Sequence, residues 1–103
     1  MHDARPHFPI AVHTGWIDYS PAHRDHTLSR VQSRLAGFAS EIRSVEVRIS
    51  ADEPGNVANR RCEIQVLTVD ARRISVSSVG ADLFTIVDRA LDALPKQLRR
   101  SAA

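Results

Sequence analysis

The chain predicts an α+β domain of order β-α-β-β-β-α, a four-stranded mixed sheet with two helices packed on one face. Three observations predict it. Period-two apolar alternation, the mark of a half-buried strand, recurs at 8–15, 43–51, 62–69 and 72–78. Apolar residues at helical spacing fill 21–38 and the segment after Gly80. A length of 103 residues with 43% hydrophobic and 25% charged side chains suits one globular domain with one core.

Residues 1–7 mix Pro, His and both charges without periodicity, and read as a flexible tail. In "FPIAVHTG", Phe8, Ile10 and Val12 alternate with smaller or polar neighbours, and Gly15 closes the strand. Pro9 suits an edge strand or a first strand position. Ser20 as N-cap and Pro21 as first helical residue then start a helix over 21–38. Leu28, Val31, Leu35 and Phe38 form its apolar stripe, and His23, His26, Arg30 and Arg34 are assigned to an opposite, basic outer face.

The second strand turns Val45, Val47 and Ile49 one way and Glu46, Arg48 and Ser50 the other. A polar loop over 52–60 leads to the third strand, with Cys62, Ile64 and Val66 on one face. Asp70-Ala71 makes a tight connection to the fourth strand, where Ile74 and Val76 point inward; the pair does not specify a turn type. The final helix carries Leu83, Ile86, Val87, Ala90, Leu91, Leu94 and Leu98 in one stripe, with Phe84 at its edge. Pro95 predicts a kink or a break, since proline removes a helical hydrogen bond. A right-handed crossover makes the first two strands parallel, and hairpins make the rest antiparallel. The domain spans 8–100, and 101–103 form a short tail.

Enzyme chemistry finds little support. Asp88 and Asp92 share a helix face, but Asp92 has Lys96 four residues on as an ion-pair partner, and Asp82 sits at a helix start where the dipole favours an acid. Of five histidines only His23 and His26 are close enough on one helix to share an ion, and no ligand set completes them. The lone Cys62 reads as a buried strand residue. No catalytic residue, metal site, cofactor or small-molecule substrate is assigned. With neither a membrane-spanning run nor a signal-peptide core, the chain reads as cytoplasmic.

Net charge is only +2, so any nucleic-acid binding depends on where the charges sit. Thirteen of the fourteen basic residues are arginine, whose planar fork suits phosphate. Up-and-down strand directions gather Arg72, Arg73, Lys96, Arg99 and Arg100 at one end, with Arg43 nearby, and leave Arg60 and Arg61 at the other.

The stretch from Asp82 to Asp88, "DLFTIVD", together with Gln97-Leu98-Arg99-Arg100, resembles the second helix of the ribosome hibernation promoting factor and ribosome-associated inhibitor A family. Gly15, "SPAHRD", "IRSVEVRIS" and "RRCEIQV" extend the similarity from about Ile10 to Arg100. Trp16 in place of a frequent basic residue, Phe84 in place of tyrosine, and Pro95 depart from that pattern. The resemblance implies a short single-domain member, without the C-terminal module by which long forms pair two ribosomes. It implies binding to the small ribosomal subunit and its rRNA, and occlusion of the mRNA/tRNA channel. The expected RNA contacts are Arg30, Arg34, Arg72, Arg73, Lys96, Arg99 and Arg100, acting on phosphate. Trp16 and Tyr19 are candidates for stacking on bases, with packing around the Ser20 cap as the alternative for Tyr19. Two other readings stand beside this one: a general RNA-binding module akin to a double-stranded RNA-binding domain, and a homodimerising or partner-binding module using Leu67 and Val69 on the open sheet face.

Overall fold

Each strand divides its side chains between two faces, and one face of all four strands enters a single core. The computed structural model describes residues 8–15, 17–51, 53 and 58–102. The tail at 1–7, Trp16 and most of the polar loop predicted at 52–60 lie outside the described residues. The elements are β1 (Ile10–Gly15), α1 (Pro21–Leu35), a 3₁₀ segment (Ala36–Glu41), β2 (Ile42–Ala51), β3 (Arg60–Thr68), β4 (Arg73–Gly80) and α2 (Leu83–Ala102). The sheet order is β1-β2-β3-β4; β1 and β2 are parallel, and the other neighbours antiparallel. This is the predicted α+β architecture.

Register places core residues in rows across the sheet. Ile10, Val45, Val66 and Ile74 form one row, Val12, Val47, Ile64 and Val76 the next, and Ile49, Cys62 and Ser78 a third. Val31 and Leu35 of α1 and the predicted α2 stripe complete the core, with Leu35, Ile64, Ile86, Leu91 and Leu94 fully buried. Burying such a side chain contributes about 1.5–3 kcal/mol, so this apolar pattern decides which face of each element turns inward.

α1 begins as predicted. The His23 amide donates to Ser20 Oγ at 3.2 Å, and the Ser20 amide returns a bond to His23 Nδ1 at 3.2 Å, so a histidine takes the role glutamate usually fills in a capping box. The helix ends earlier than predicted, at Leu35, and Ala36–Glu41 wind on as 3₁₀. Gly37 lowers the helical preference there, and the tighter segment still packs Phe38 and Ala39 against the core.

The assignment of His23, His26, Arg30 and Arg34 to an outer face is corrected. Counted at about 100° per residue from Val31, Arg34, His23 and Arg30 lie about 60–100° away on one flank of the apolar stripe and His26 about 140° away, and this side of α1 meets α2 rather than solvent. The buried stripe runs through Thr27, Val31 and Leu35, leaving Leu28 half-buried.

α2 starts at a cap. Asp82 accepts the Thr85 amide on Oδ2 at 3.0 Å and the Ile86 amide on its carbonyl at 3.0 Å. Its carboxylate is held below the ordinary range by the Thr85 hydroxyl and then by the Thr85 amide. The helix does not break at Pro95 but continues through Ser101 and Ala102, the first two residues of the predicted tail. Leu94 and Leu98 on either side are buried, and that packing offsets the roughly 3 kcal/mol cost of an interior proline.

Both helices run antiparallel to β1, β2 and β4, so both N-termini lie at one end of the molecule, the cap end. The other end holds the C-terminus of α2, the start of β2 and the β3–β4 turn. We call this the turn end.

Candidate nucleic-acid interface

The turn end is built around a three-residue hairpin loop, Val69-Asp70-Ala71. The Ala71 amide donates to the Thr68 carbonyl at 3.0 Å and the Thr68 amide to the Arg72 carbonyl at 2.9 Å, while Ala71 takes φ of 68°. A residue in the left-handed region after a tight turn is the usual geometry of such loops, normally filled by glycine. The Thr68 hydroxyl donates to the Asp70 carboxylate and accepts the Arg72 amide at 3.0 Å. Asp70 in turn holds Arg72 at 2.9 Å, and its carboxyl is kept below the ordinary range by Thr68 and then Arg72. This places Arg72 at the predicted end but with its charge already matched.

The other cations gathered there carry no such match. Arg43, Arg73, Lys96, Arg99 and Arg100 are all exposed, and none makes a side-chain ion pair or hydrogen bond among the described residues. The position of α2 explains the gathering: its twenty residues span about 30 Å, and Leu98, buried at 2% exposure, holds its last turns on the core. Lys96, Arg99 and Arg100 then radiate around that anchor. Among the described residues, and including Arg72, the turn end carries six cations against Glu41 and Asp70. The described residues of the cap end include Arg24, Arg60 and Arg61 together with Asp18, Asp25, Glu53 and Asp82. A net charge of +2 thus conceals a molecule with one basic end.

Arg30 and Arg34 are placed elsewhere, in the seam between the helices. Arg30 Nε donates to Asp88 Oδ1 at 2.9 Å, His26 Nε2 lies 3.2 Å from the same oxygen, and Arg34 pairs with Asp92. The expected Asp92–Lys96 pair is therefore replaced by a pair across the seam. Near the cap end the Phe84 ring packs 4.8 Å from His23 and edge-on to His26 at 4.7 Å. Tyr19 stacks on His23 at 5.7 Å and its hydroxyl meets Thr27 Oγ1 at 2.6 Å, so its ring packs around the α1 cap rather than standing free. Burial pushes the Tyr19 hydroxyl pKa up. Parallel helices set this pairing, because they bring like turns into register; sequence periodicity alone could not say which flank of α1 would meet α2.

The open face of the sheet is mostly polar, with Leu67 and Val79 as its larger apolar residues. It presents His13, Glu46, Arg48, Glu63, Gln65, Ser75 and Ser77 across the strands, with Glu46 Oε1 bound by Arg48 at 3.2 Å and Oε2 lying 3.5 Å from His13. Val69, expected on this face, stands instead in the hairpin loop beyond the end of β3. Cys62 lies on the covered face, and burial pushes its thiol pKa up to about 12. Among the described residues no group of three or more His, Cys, Asp or Glu could hold a metal ion, and no helix is long and apolar enough to cross a membrane.

Fold and charge together define a small β-α-β-β-β-α domain with a cation-rich end and an otherwise balanced surface. The chain belongs to the sigma 54 modulation protein / S30EA ribosomal protein family, whose model matches residues 10–103. That family is named for a ribosomal protein and a modulator, not for a catalysed reaction. Among solved structures, the fold is shared with a ribosomal subunit interface protein from Coxiella burnetii, 22% identical, with a TM-score of 0.75 over 91% of this chain and 97% of that one. The N-terminal domain of Protein Y from Thermus thermophilus is also similar, 25% identical, with a TM-score of 0.68 over 94% of this chain and 98% of that one. No curated protein matches the chain in sequence.

Proposed function

We propose that the protein associates in the cytoplasm with the small ribosomal subunit and represses translation by occupying the channel for mRNA and tRNA, with no catalytic step and no cofactor. One observation carries the reading beyond family membership: the turn end holds cations that no group among the described residues neutralises. Arg43, Arg73, Lys96, Arg99 and Arg100 are the primary phosphate contacts in this proposal, and Arg72 reaches phosphate while sharing its charge with Asp70. Arg30 and Arg34 contribute only as far as phosphate competes with Asp88 and Asp92 for them. Contacts of this kind release condensed counterions and give affinity that falls steeply with salt. They recognise the shape of folded RNA rather than its sequence.

The test is co-sedimentation with purified small subunits across a salt series, with a cell-free translation reaction beside it. The parent chain binds, its affinity falls with salt, and added protein lowers translation yield. Changing Arg99 and Arg100 together to glutamate weakens binding about 10- to 100-fold and reduces the salt slope by about two. Equal binding to plain duplex RNA would instead support the general RNA-binding module. Binding that ignores both salt and the double change defeats the phosphate-contact mechanism.

A further inference from the structure

The open sheet face carries a depression at its turn-end corner of which the phosphate-contact mechanism uses only Arg73. It encloses about 190 Å³ and is lined by Ser44, Glu46, Gln65, Val66, Leu67 and Arg73. Register accounts for its composition. Ser44, Leu67 and Arg73 form one row across β2, β3 and β4, and Glu46 and Gln65 stand side by side in the next. The β2–β3 register slips between Ile42 and Ser44, leaving Arg43 as the extra residue. Such bulges bend a strand and re-aim side chains, commonly beside binding sites.

The chemistry of the walls is graded. Leu67 is the half-buried apolar surface within the depression; the other apolar residues of this face, Ala11 and Val79, lie outside its lining. Gln65 offers an amide donor and a carbonyl acceptor. Glu46 is acceptor-only, and Arg48 at 3.2 Å and His13 at 3.5 Å steady its carboxylate, which keeps further lone pairs available. At the rim stands Arg73, exposed and without a partner among the described residues. An apolar patch, a pair of groups able to read an edge, and a free guanidinium are the three elements that a base, its polar edge and its phosphate require.

We infer that this depression holds a single unpaired nucleotide, its base lying against Leu67 and its phosphate on Arg73. The acceptor-only Glu46 beside Gln65 selects a base with an exocyclic amino group, such as adenine, over uracil. The inference rests on the RNA-binding reading above and deepens it: phosphate contacts hold the protein on folded RNA, and this pocket takes one splayed-out base. The nucleotide is either part of an RNA strand or free.

Amide chemical-shift mapping on the full chain tests this with AMP, UMP, inorganic phosphate, and short single-stranded oligo(A) and oligo(U). Oligo(A) shifts the amides of Ser44, Gln65, Leu67 and Arg73, and oligo(U) binds roughly tenfold more weakly. AMP shifting the same amides shows that a free nucleotide suffices. A response to oligo(A) alone places the site on strands, and both results support the pocket. Gln65→Ala, at a half-buried polar strand position, keeps the folded spectrum and weakens oligo(A) by roughly tenfold. Three results overturn the inference: no shift at these amides with either adenine probe, equal binding of A and U, or inorganic phosphate reproducing the whole response. Subunit co-sedimentation separates the two claims. Binding to subunits without these shifts refutes the pocket alone, and these shifts without subunit binding refute the ribosomal reading alone.

Discussion

The seam between the helices and the turn end hold the same kinds of residue in opposite electrostatic states. In the seam, Arg30 and Arg34 meet Asp88 and Asp92, and His26 shares Asp88. At the turn end, Arg73, Lys96, Arg99 and Arg100 are exposed and without a charge partner among the described residues. Arginines are needed in both places, but for different ends. Paired in the seam, they fix how α1 lies beside α2; unpaired at the turn end, they are available to an anion from outside. Counting cations in a sequence therefore overstates an RNA-binding surface, because some of them are consumed in holding the fold together.

Exchanging the two regions' roles by mutation gives the largest expected effect. Arg99→Glu with Arg100→Glu lowers subunit association about 10- to 100-fold and leaves thermal unfolding nearly unchanged, since both side chains are exposed. Arg30→Glu with Arg34→Glu places like charges against Asp88 and Asp92, and should lower stability by about 1–2 kcal/mol while reducing subunit association less than the turn-end pair does. Equal loss of binding from both pairs would erase the distinction between the regions.

Smaller changes sharpen it. Asp88→Ala leaves Arg30 and His26 without their shared partner, and should cost about 1 kcal/mol because Asp88 is only 34% exposed. Cys62 reports the same event. Its thiol, on the covered face and raised to about 12, reacts with a maleimide only through opening of the structure. Labelling should therefore be roughly fivefold faster in Asp88→Ala, following the 1 kcal/mol. The sign of the pH effect also follows: a thiol whose folded value is raised favours the folded state below the ordinary value of 9.0, and that contribution is lost as pH rises from there towards about 12. Cys62→Ala should flatten the alkaline loss of stability relative to the parent.

The smallest effect belongs to the turn end. Ala71 holds φ of 68°, where a Cβ is strained, so Ala71→Gly should stabilise by about 0.5–1 kcal/mol, net of glycine's greater freedom in the unfolded chain. Urea unfolding would show the midpoint rise without a change in slope. A fall in midpoint would mean that the loop tolerates alanine without strain.

Much of the fold was legible because the alternation of Val45, Val47 and Ile49, or of Cys62, Ile64 and Val66, admits one inward face per strand. The α2 stripe was equally clear, since Leu83, Ile86, Val87, Leu91, Leu94 and Leu98 are all buried. The polar side of α1 was not legible in this way: a wheel shows which residues are apolar, whereas what its polar side meets depends on where α2 lies. Pro95 does not end α2, its local cost being outweighed by Leu94 and Leu98 in a core that local rules do not include. The gathering of cations at one end followed from strand direction alone. Which of them lack a partner among the described residues did not.

The sequence by itself determined the element order, the inward faces and the end of the molecule to which Arg73, Lys96, Arg99 and Arg100 belong, because periodicity and chain direction are local properties. Only the tertiary structure decided that Arg30 and Arg34 are bound by Asp88 and Asp92, that Arg72 is shared with Asp70, and that a bulge at Arg43 adjoins a depression on the open face. The reason is range. An ion pair between residues 58 apart in the chain, as in Arg30–Asp88, exists only once packing has brought the two helices side by side.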